Sequence, residues 1–302
     1  MNIFFDNINL QSNSGPNNFA KKLISEMTKN GQHIVHNSSN ECEIDSQLSF
    51  IMQTQKLAPT ALRLDGIYFN SEQNWKNMNA PIQASFRNSE AVIYQSEFDK
   101  KLIEKFFGTH PNGYVVSNGT DTGSISSIEP LTHEMLDNFS EAWSCASSWR
   151  PHKRLRENIR YFLEHAPSTA CLIVAGENPD YYCEDKRIFF TGNLSWENLI
   201  GVFKLSKVFV HLAWLDHCPN VVVDARAAGC HIVCSSTGGT PQIAGTNSTL
   251  IEEDEFQFVP LQLYKPPSMN FDQKINNKVE SNIEINFCVK KYLEILKDIS
   301  GC

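Results

Sequence analysis

The stretch HLAWLDHCPNVVVDARAAGCHIV, His211 to Val233, carries two carboxylates, Asp216 and Asp224, on either side of Cys218, Pro219 and Asn220. Proline disfavours helical backbone at the residue before it, so Asp216 is expected on a loop that follows a strand. Asn220 is expected to cap the helix that follows and Gly229 to end it, which puts Asp224 in the first turn. A helix start offers free N–H groups and a positive dipole end to an anion. A carboxylate beside it accepts hydrogen bonds from hydroxyls. The chemistry implied is a grip on a ligand that has both phosphate and polyol. The same layout is compatible with a plainer role, in which Asp224 favours the helix start and Asp216 shapes a turn.

Composition bounds the setting of this chemistry. The chain has 302 residues and a formal net charge of -8, with 41% apolar and 20% charged residues. That length exceeds one typical hydrophobic core, so two domains are expected. The acidic balance argues against nonspecific binding to nucleic acid or to an anionic membrane. The nine cysteines, Cys42, Cys145, Cys171, Cys183, Cys218, Cys230, Cys234, Cys288 and Cys302, include no Cys-x-x-Cys pair. No zinc site is therefore expected, and the thiols should be buried and reduced, in a cytoplasmic setting. The N-terminus MNIFFDNINL reads as a strand rather than a signal peptide. No apolar run reaches the ~20 residues of a membrane span.

The elements that must position the two acids alternate. Strands are expected at 3–5, 48–52, 61–64, 91–95 and 114–117, with helices over the Phe19–Met27 pattern (closed by Gly31) and over SEFDKKLIEKFFG. The Gly-, Ser- and Thr-rich stretch 118–130 is the expected linker. Beyond it come strands at 143–147, 172–175, 188–191, 208–212 and 232–235. Helices are expected between them at 153–165, 196–204 and 221–228. Interleaved strands and helices imply parallel βαβ units, hence an α/β chain of two Rossmann-like domains facing a cleft, with ligands at the carboxyl ends of the strands. The expected domains are 1–118, 119–283 and a last helix, 284–302, packing back on the first. Residues 264–283 should be irregular.

Asp-x7-Asp followed by ARAAGCHIVCSSTGGTPQI resembles the Glu-x7-Glu signature of retaining glycosyltransferases of family 4, which have the GT-B fold. SNSGPNNFAKKL, VSNGTD, SSWRPHKRL, LIVAGENP and IFFTGNLSWENL resemble further segments of that family in the same order. The resemblance implies a hexose-type transferase that uses a nucleotide-diphosphate sugar and retains the anomeric configuration. It implies Asp224 on the ribose hydroxyls and Asp216 beside the transferred sugar and the diphosphate. Backbone around Cys218, Pro219 and Asn220 would line the sugar. Lys153 would face the diphosphate, and Gly15 would let its loop approach the same phosphates. Gly176, Leu194 and Cys218 would border the base and sugar. An ammonium beside phosphate stabilises a leaving group with no metal or other cofactor.

Several residues depart from the family pattern. Both acids are Asp, about 1.5 Å shorter than Glu. The family arginine falls on Ser148, with Arg150 two residues on as a substitute. Gln242 stands where the family has a final glutamate, and the N-terminal domain is short. On the acceptor side, Arg63 and Asp65 lie at an expected strand end. They could meet an acceptor (a glycan, lipid or protein) or simply form a surface turn. The competing expectation is a catalytically weakened nucleotide-sugar-binding or partner module of the same fold. A dinucleotide oxidoreductase is disfavoured because QSNSGPNNFA has one glycine where Gly-x-Gly-x-x-Gly is needed.

Overall fold

The computed structural model describes residues 1–12, 14–29, 31, 33–37 and 43–301. Cys42 and Cys302, expected as buried thiols, lie outside the described residues. In chain order the first elements are β1 (Asn2–Asp6), α1 (Gly15–Thr28), β2 (Ile34–His36), β3 (Ser46–Phe50), β4 (Thr60–Leu64), α2 (Trp75–Asn88), β5 (Ala91–Tyr94), α3 (Glu97–Phe107) and β6 (Gly113–Val115). Then come α4 (Thr122–Ser126), β7 (Glu141–Ala146), α5 (Leu155–His165), β8 (Ala170–Ala175), β9 (Ile188–Gly192), α6 (Trp196–Leu205) and β10 (Ser206–His211). The last are α7 (Asn220–Ala227), β11 (His231–Ser235), α8 (Thr240–Ala244), β12 (Thr249–Ile251), β13 (Lys274–Asn276) and α9 (Ile285–Ser300).

The chain is α/β and forms two compact units, each built on a parallel sheet. The first comprises 1–121, 257–261 and 282–302, and the second 122–256 and 262–281. The division falls inside the Gly- and Ser-rich stretch, three residues past the expected boundary at 118. Residues 257–261, expected in the second domain, group with the first unit. Leu261 accounts for this locally, since its N–H donates to the carbonyl of Phe69 and its carbonyl accepts from Ser71.

In the first unit the strand order is β2-β1-β3-β4-β5-β6, all parallel. Its inner strands are buried along their whole length, which is how a parallel sheet covered on both faces reads. Helix α9 presents Ile285, Cys288, Val289, Tyr292, Ile295 and Leu296 to a core shared with Phe19 and Leu23 of α1 and Leu48 of β3. Those apolar positions recur at helical spacing. Each such side chain contributes roughly 1.5–3 kcal/mol of burial. This core therefore depends on the far end of the chain.

In the second unit the order is β13-β12-β11-β10-β7-β8-β9, parallel except for the β12–β13 pair. Its core gathers Trp143, Leu155, Phe162, Leu172, Val210 and Val233. Strand β13 corrects the expectation that 264–283 is wholly irregular. All three of its residues are exposed, so it lacks the apolar signal of a buried strand.

Helix α2 was not expected. WKNMNAPIQASFRN contains Pro81 and few apolar residues, yet Ile82 and Phe86 are buried and Asn74 caps its start. The cysteines at 145, 171, 218, 230, 234 and 288 are buried, Cys183 is half-buried, and all are free thiols. Among the described residues no helix is long and apolar enough to cross a membrane, and no cluster of His, Cys, Asp or Glu could hold a metal ion.

Candidate active site

In the second unit the chain runs outward from β7 to β8 and β9, then returns to place β10 on the other side of β7. The carboxyl ends of β7 and β10 therefore flank a topological switch point, the place where open α/β sheets bind ligands. Two loops leave there. One runs from Ser147 through a short 3₁₀ turn, Pro151–Lys153, into α5. The other runs from Leu212 to Pro219.

Lys153 on the first loop meets Asp216 on the second. Nζ of Lys153 donates to Oδ2 of Asp216 at 2.6 Å, with side chains 19% and 12% exposed. The same oxygen lies 2.9 Å from Nε2 of His211. Oδ1 accepts from the backbone N–H of His217 at 3.0 Å. Burial alone would raise the Asp216 carboxyl, but the Lys153 charge and the His211 hydrogen bond outweigh it and hold it well below the usual carboxylate range. Burial lowers His211, and Asp216 offsets this only in part. His152 is pushed down to about 3 by burial and by the charge of Lys153 beside it. Its ring stacks on Tyr264 at 5.6 Å.

The two loops are fixed to each other. Nδ2 of Asn158 donates to the carbonyl of Lys153 at 3.0 Å, while Oδ1 of the same side chain accepts from Leu212 N–H at 3.0 Å. The N–H of Trp214 donates to the His152 carbonyl at 2.7 Å. Arg154, in left-handed backbone at φ 53°, donates to the carbonyls of Leu212 at 3.3 Å and Pro267 at 2.9 Å and pairs with Glu253 at 2.6 Å. The carbonyl of Asp216 accepts from Gly239 at 2.7 Å, and a Cβ on Gly238 would stand 2.7 Å from that same oxygen. The glycine pair thus lets the segment after β11 pass directly against the acid's backbone.

Asp224 lies deeper in its helix than expected. Pro219 occupies the cap position and its carbonyl accepts from Val222 and Val223, so Asn220 is the first helical residue rather than the cap. Asp224 is therefore in the second turn, and the first turn carries no acid. Its side chain is buried and Oδ2 accepts from the indole N–H of Trp196 at 3.1 Å. Favouring the helix start is thus not its role.

The remaining expected residues lie on several elements. Ser148 is exposed and its hydroxyl donates to Glu177 at 3.2 Å; Arg150 is exposed at the start of the 3₁₀ turn. Gly176, at φ 112°, follows β8, and a Cβ there would sit 1.8 Å from the Ser147 carbonyl oxygen, so packing alone demands glycine. Leu194 is half-buried in the loop before α6, and Cys218 is buried. In the first unit, Gly15 is the exposed first residue of α1.

Arg63 corrects its expected acceptor-side role. It is wholly buried on β4, where Nε donates to Tyr292 at 3.1 Å, one terminal nitrogen to Asp65 and the other to Asn118 at 2.8 Å. Its guanidinium lies 4.4 Å from the centre of the Phe19 ring. With no surface to offer, it ties the sheet to α9, and Asp65 serves as its counter-ion.

Sequence reasoning missed His211 as a partner of Asp216, because a histidine ending an apolar strand reads as core. It missed Trp196, Asn158 and the Arg154–Glu253 pair because their partners are distant in the chain.

Comparison with known proteins bears on this geometry. Residues 146–259 match the family model of glycosyl transferases group 1. A search of curated proteins finds no match by sequence. Among solved structures, AviGT4, a glycosyltransferase involved in avilamycin A biosynthesis, has a TM-score of 0.65 at 10% identity over 100% of this chain and 98% of that one. WaaG, a glycosyltransferase involved in lipopolysaccharide biosynthesis, has a TM-score of 0.62 at 10% identity over 100% and 93%. Anabaena Alr3699/HepE in complex with UDP and glucose has a TM-score of 0.62 at 14% identity over 99% and 92%. By these matches the chain has the GT-B fold, and residues 146–259, which hold Lys153, Asp216 and Asp224, are similar to glycosyl transferases group 1.

Proposed function

We propose that the protein is a retaining glycosyltransferase that moves a hexose-type sugar from a nucleotide-diphosphate sugar to an acceptor hydroxyl. The observation that carries this reading is the Lys153–Asp216 pair at the switch point of a group 1 domain. Support comes also from the neighbour Alr3699/HepE, whose solved complexes contain UDP-glucose, and UDP with glucose.

In this reading Lys153 meets the diphosphate. An ammonium has three N–H donors, and Asp216 engages one, leaving donors for phosphate oxygens. Asp216 stays ionised at neutral pH and, with His211 on the same oxygen, fixes the direction in which Lys153 points. Charge builds on the diphosphate as the bond to the anomeric carbon breaks, and a preorganised cation stabilises that charge. The acceptor oxygen bonds to the anomeric carbon from the face the diphosphate leaves. Its proton passes to the departing phosphate oxygen, so no side-chain base and no metal is assigned. Asp224 takes the ribose hydroxyls, its carboxylate oriented by the Trp196 indole. Arg150 adds a second cation in place of the family arginine. The free, buried thiols suit a reducing compartment, and we assign the cytoplasm.

The test is release of nucleoside diphosphate from UDP- and GDP-sugars, with Lys153→Ala alongside. Turnover by the unmodified chain and its loss in the variant support a transferase. Tight donor binding with no turnover would instead support a weakened binding module.

A further inference from the structure

Lys153 stands on little backbone of its own. The 3₁₀ turn that carries it spans three residues. Two hydrogen bonds close it, from Lys153 N–H to the Arg150 carbonyl at 2.8 Å and from Arg154 N–H to the Pro151 carbonyl at 3.0 Å. One such turn is not stable in isolation. Arg154, the next residue, has φ 53°, and left-handed backbone at a long side chain persists only where its surroundings enforce it.

The enforcement comes from the segment between β12 and β13, whose residues from 262 onward belong to the second unit. Met269 and Phe271 moor that segment to α5. Both are buried in the core that holds Leu155 and Phe162. The Met269 carbonyl accepts from Arg160 at 2.7 Å, and the Arg160 guanidinium lies 3.9 Å from the centre of the Phe271 ring. Just before this mooring the segment reaches the turn twice. The Pro267 carbonyl accepts from Arg154 at 2.9 Å, and the Tyr264 ring stacks on His152 at 5.6 Å and 23°. Each residue flanking Lys153 is thus held by the same short stretch of chain.

The His152 ring depends on that stack. Its Nδ1 is buried and, among the described residues, has no hydrogen-bond partner, so packing against Tyr264 orients the ring. Burial also keeps the imidazole uncharged at neutral pH. The charged and titratable groups around it are Lys153 and Arg150 on its own turn, Asp216 and His217 on the neighbouring loop, and Tyr264 itself. A charged ring would repel the Lys153 ammonium and compete with it for Asp216. A neutral ring leaves that pair undisturbed.

We propose that Tyr264 is a positioning residue for Lys153: it acts through His152, while Pro267 holds Arg154 on the other side. The bearing of this clamp on sugar transfer rests on the transferase reading; its hold on the turn does not.

The experiment compares the full chain with Tyr264→Ala, Tyr264→Gln and Tyr264→Phe. Amide hydrogen exchange is read at Lys153 and Arg154, and kcat for nucleotide release from UDP- and GDP-sugars is read between pH 5 and 8. Glutamine removes the ring while filling its place, so the comparison stands if the alanine chain does not fold. Without the ring, exchange at both amides should be about tenfold faster, as in a loosened turn. The kcat should fall about tenfold, within the cost of misplacing a group that faces the reacting atoms. It should also gain a titration near the ordinary histidine value of about 6.5, because water reaches His152. Tyr264→Phe, which keeps the ring, should match the unmodified chain in all three. Unchanged exchange, an unchanged kcat, or no new titration in the ring-less variants would overturn the proposal. If the unmodified chain releases no nucleotide, the transferase reading has failed, and the exchange comparison still decides whether Tyr264 holds the turn.

Discussion

Lys153 and Asp216, 63 positions apart in the chain, meet at 2.6 Å through one carboxylate oxygen, Oδ2, which His211 also engages. The acid therefore arranges the ammonium that would face a diphosphate, and its own charge is set by its neighbours. Asp216→Asn should reduce turnover about 10²-fold, the scale of removing one preorganised electrostatic contact. Steady-state kinetics of nucleotide release measures it. Unchanged kcat would remove Asp216 from the machinery.

His211 should act by positioning. His211→Leu leaves Lys153 in place but removes one partner of Oδ2. The expected outcome is a lower kcat with little change in KM, and partial recovery in His211→Gln, which can still donate. A loss confined to KM would contradict this.

Acid should destabilise the second unit. Asp216, His211 and His152 all have folded pKa values below their ordinary ones. For each, the unfolded chain binds protons that the native chain refuses, so stability rises with pH. The histidine contributions are complete above about pH 6.5, the unfolded value. They are lost progressively as pH falls from there toward the folded values, about 3 for His152. That of Asp216 persists lower and is lost below about pH 4. The thermal midpoint should fall from pH 7 to pH 5, and less steeply in His152→Asn. A pH-independent midpoint would contradict the sign.

Glycine is needed at 176 for packing and at 192 only for backbone shape. Gly176→Ala sets a methyl against the Ser147 carbonyl, whereas at Gly192, φ 69°, nothing lies within 4 Å. Gly192→Ala should cost about 1–2 kcal/mol. Gly176→Ala should cost roughly 4 kcal/mol or more, in the exceptional range for one substitution. Denaturant unfolding compares them.

Tyr292→Phe tests the buried hub of the first unit. It removes the hydroxyl that accepts from Arg63 Nε at 3.1 Å, a bond to a charged group. The expected loss is about 1.5–3 kcal/mol. A neutral substitution would show that the hydroxyl is replaceable.

The βα alternation was readable because strands such as ACLIVA and AVIY are continuous apolar runs and the intervening helices have apolar faces. Ser96 and Gly108 bound α3 as their residue types imply. Helix α2 was hidden by Pro81, and β13 by full exposure. In the site, Lys153 and Asp216, which the structure pairs, had been singled out by a family pattern. What local sequence could not reveal were partners set by strand order: Trp196 on Asp224, and Asn158 and Arg154 on Leu212. Arg63 misled for the same reason. A polar residue at a strand end reads as exposed, and only the placement of α9 shows that Tyr292 buries it.

The central claim is a nucleotide-diphosphate site that rests on Lys153 and needs no metal. Thermal unfolding with UDP, GDP and ADP in the presence of a chelator tests it directly, with Lys153→Ala as control. One nucleotide at a hundred times its dissociation constant should add about 2.7 kcal/mol of stability to the unmodified chain, and clearly less to the variant. No stabilisation by any of the three, or equal stabilisation of Lys153→Ala, would contradict the account.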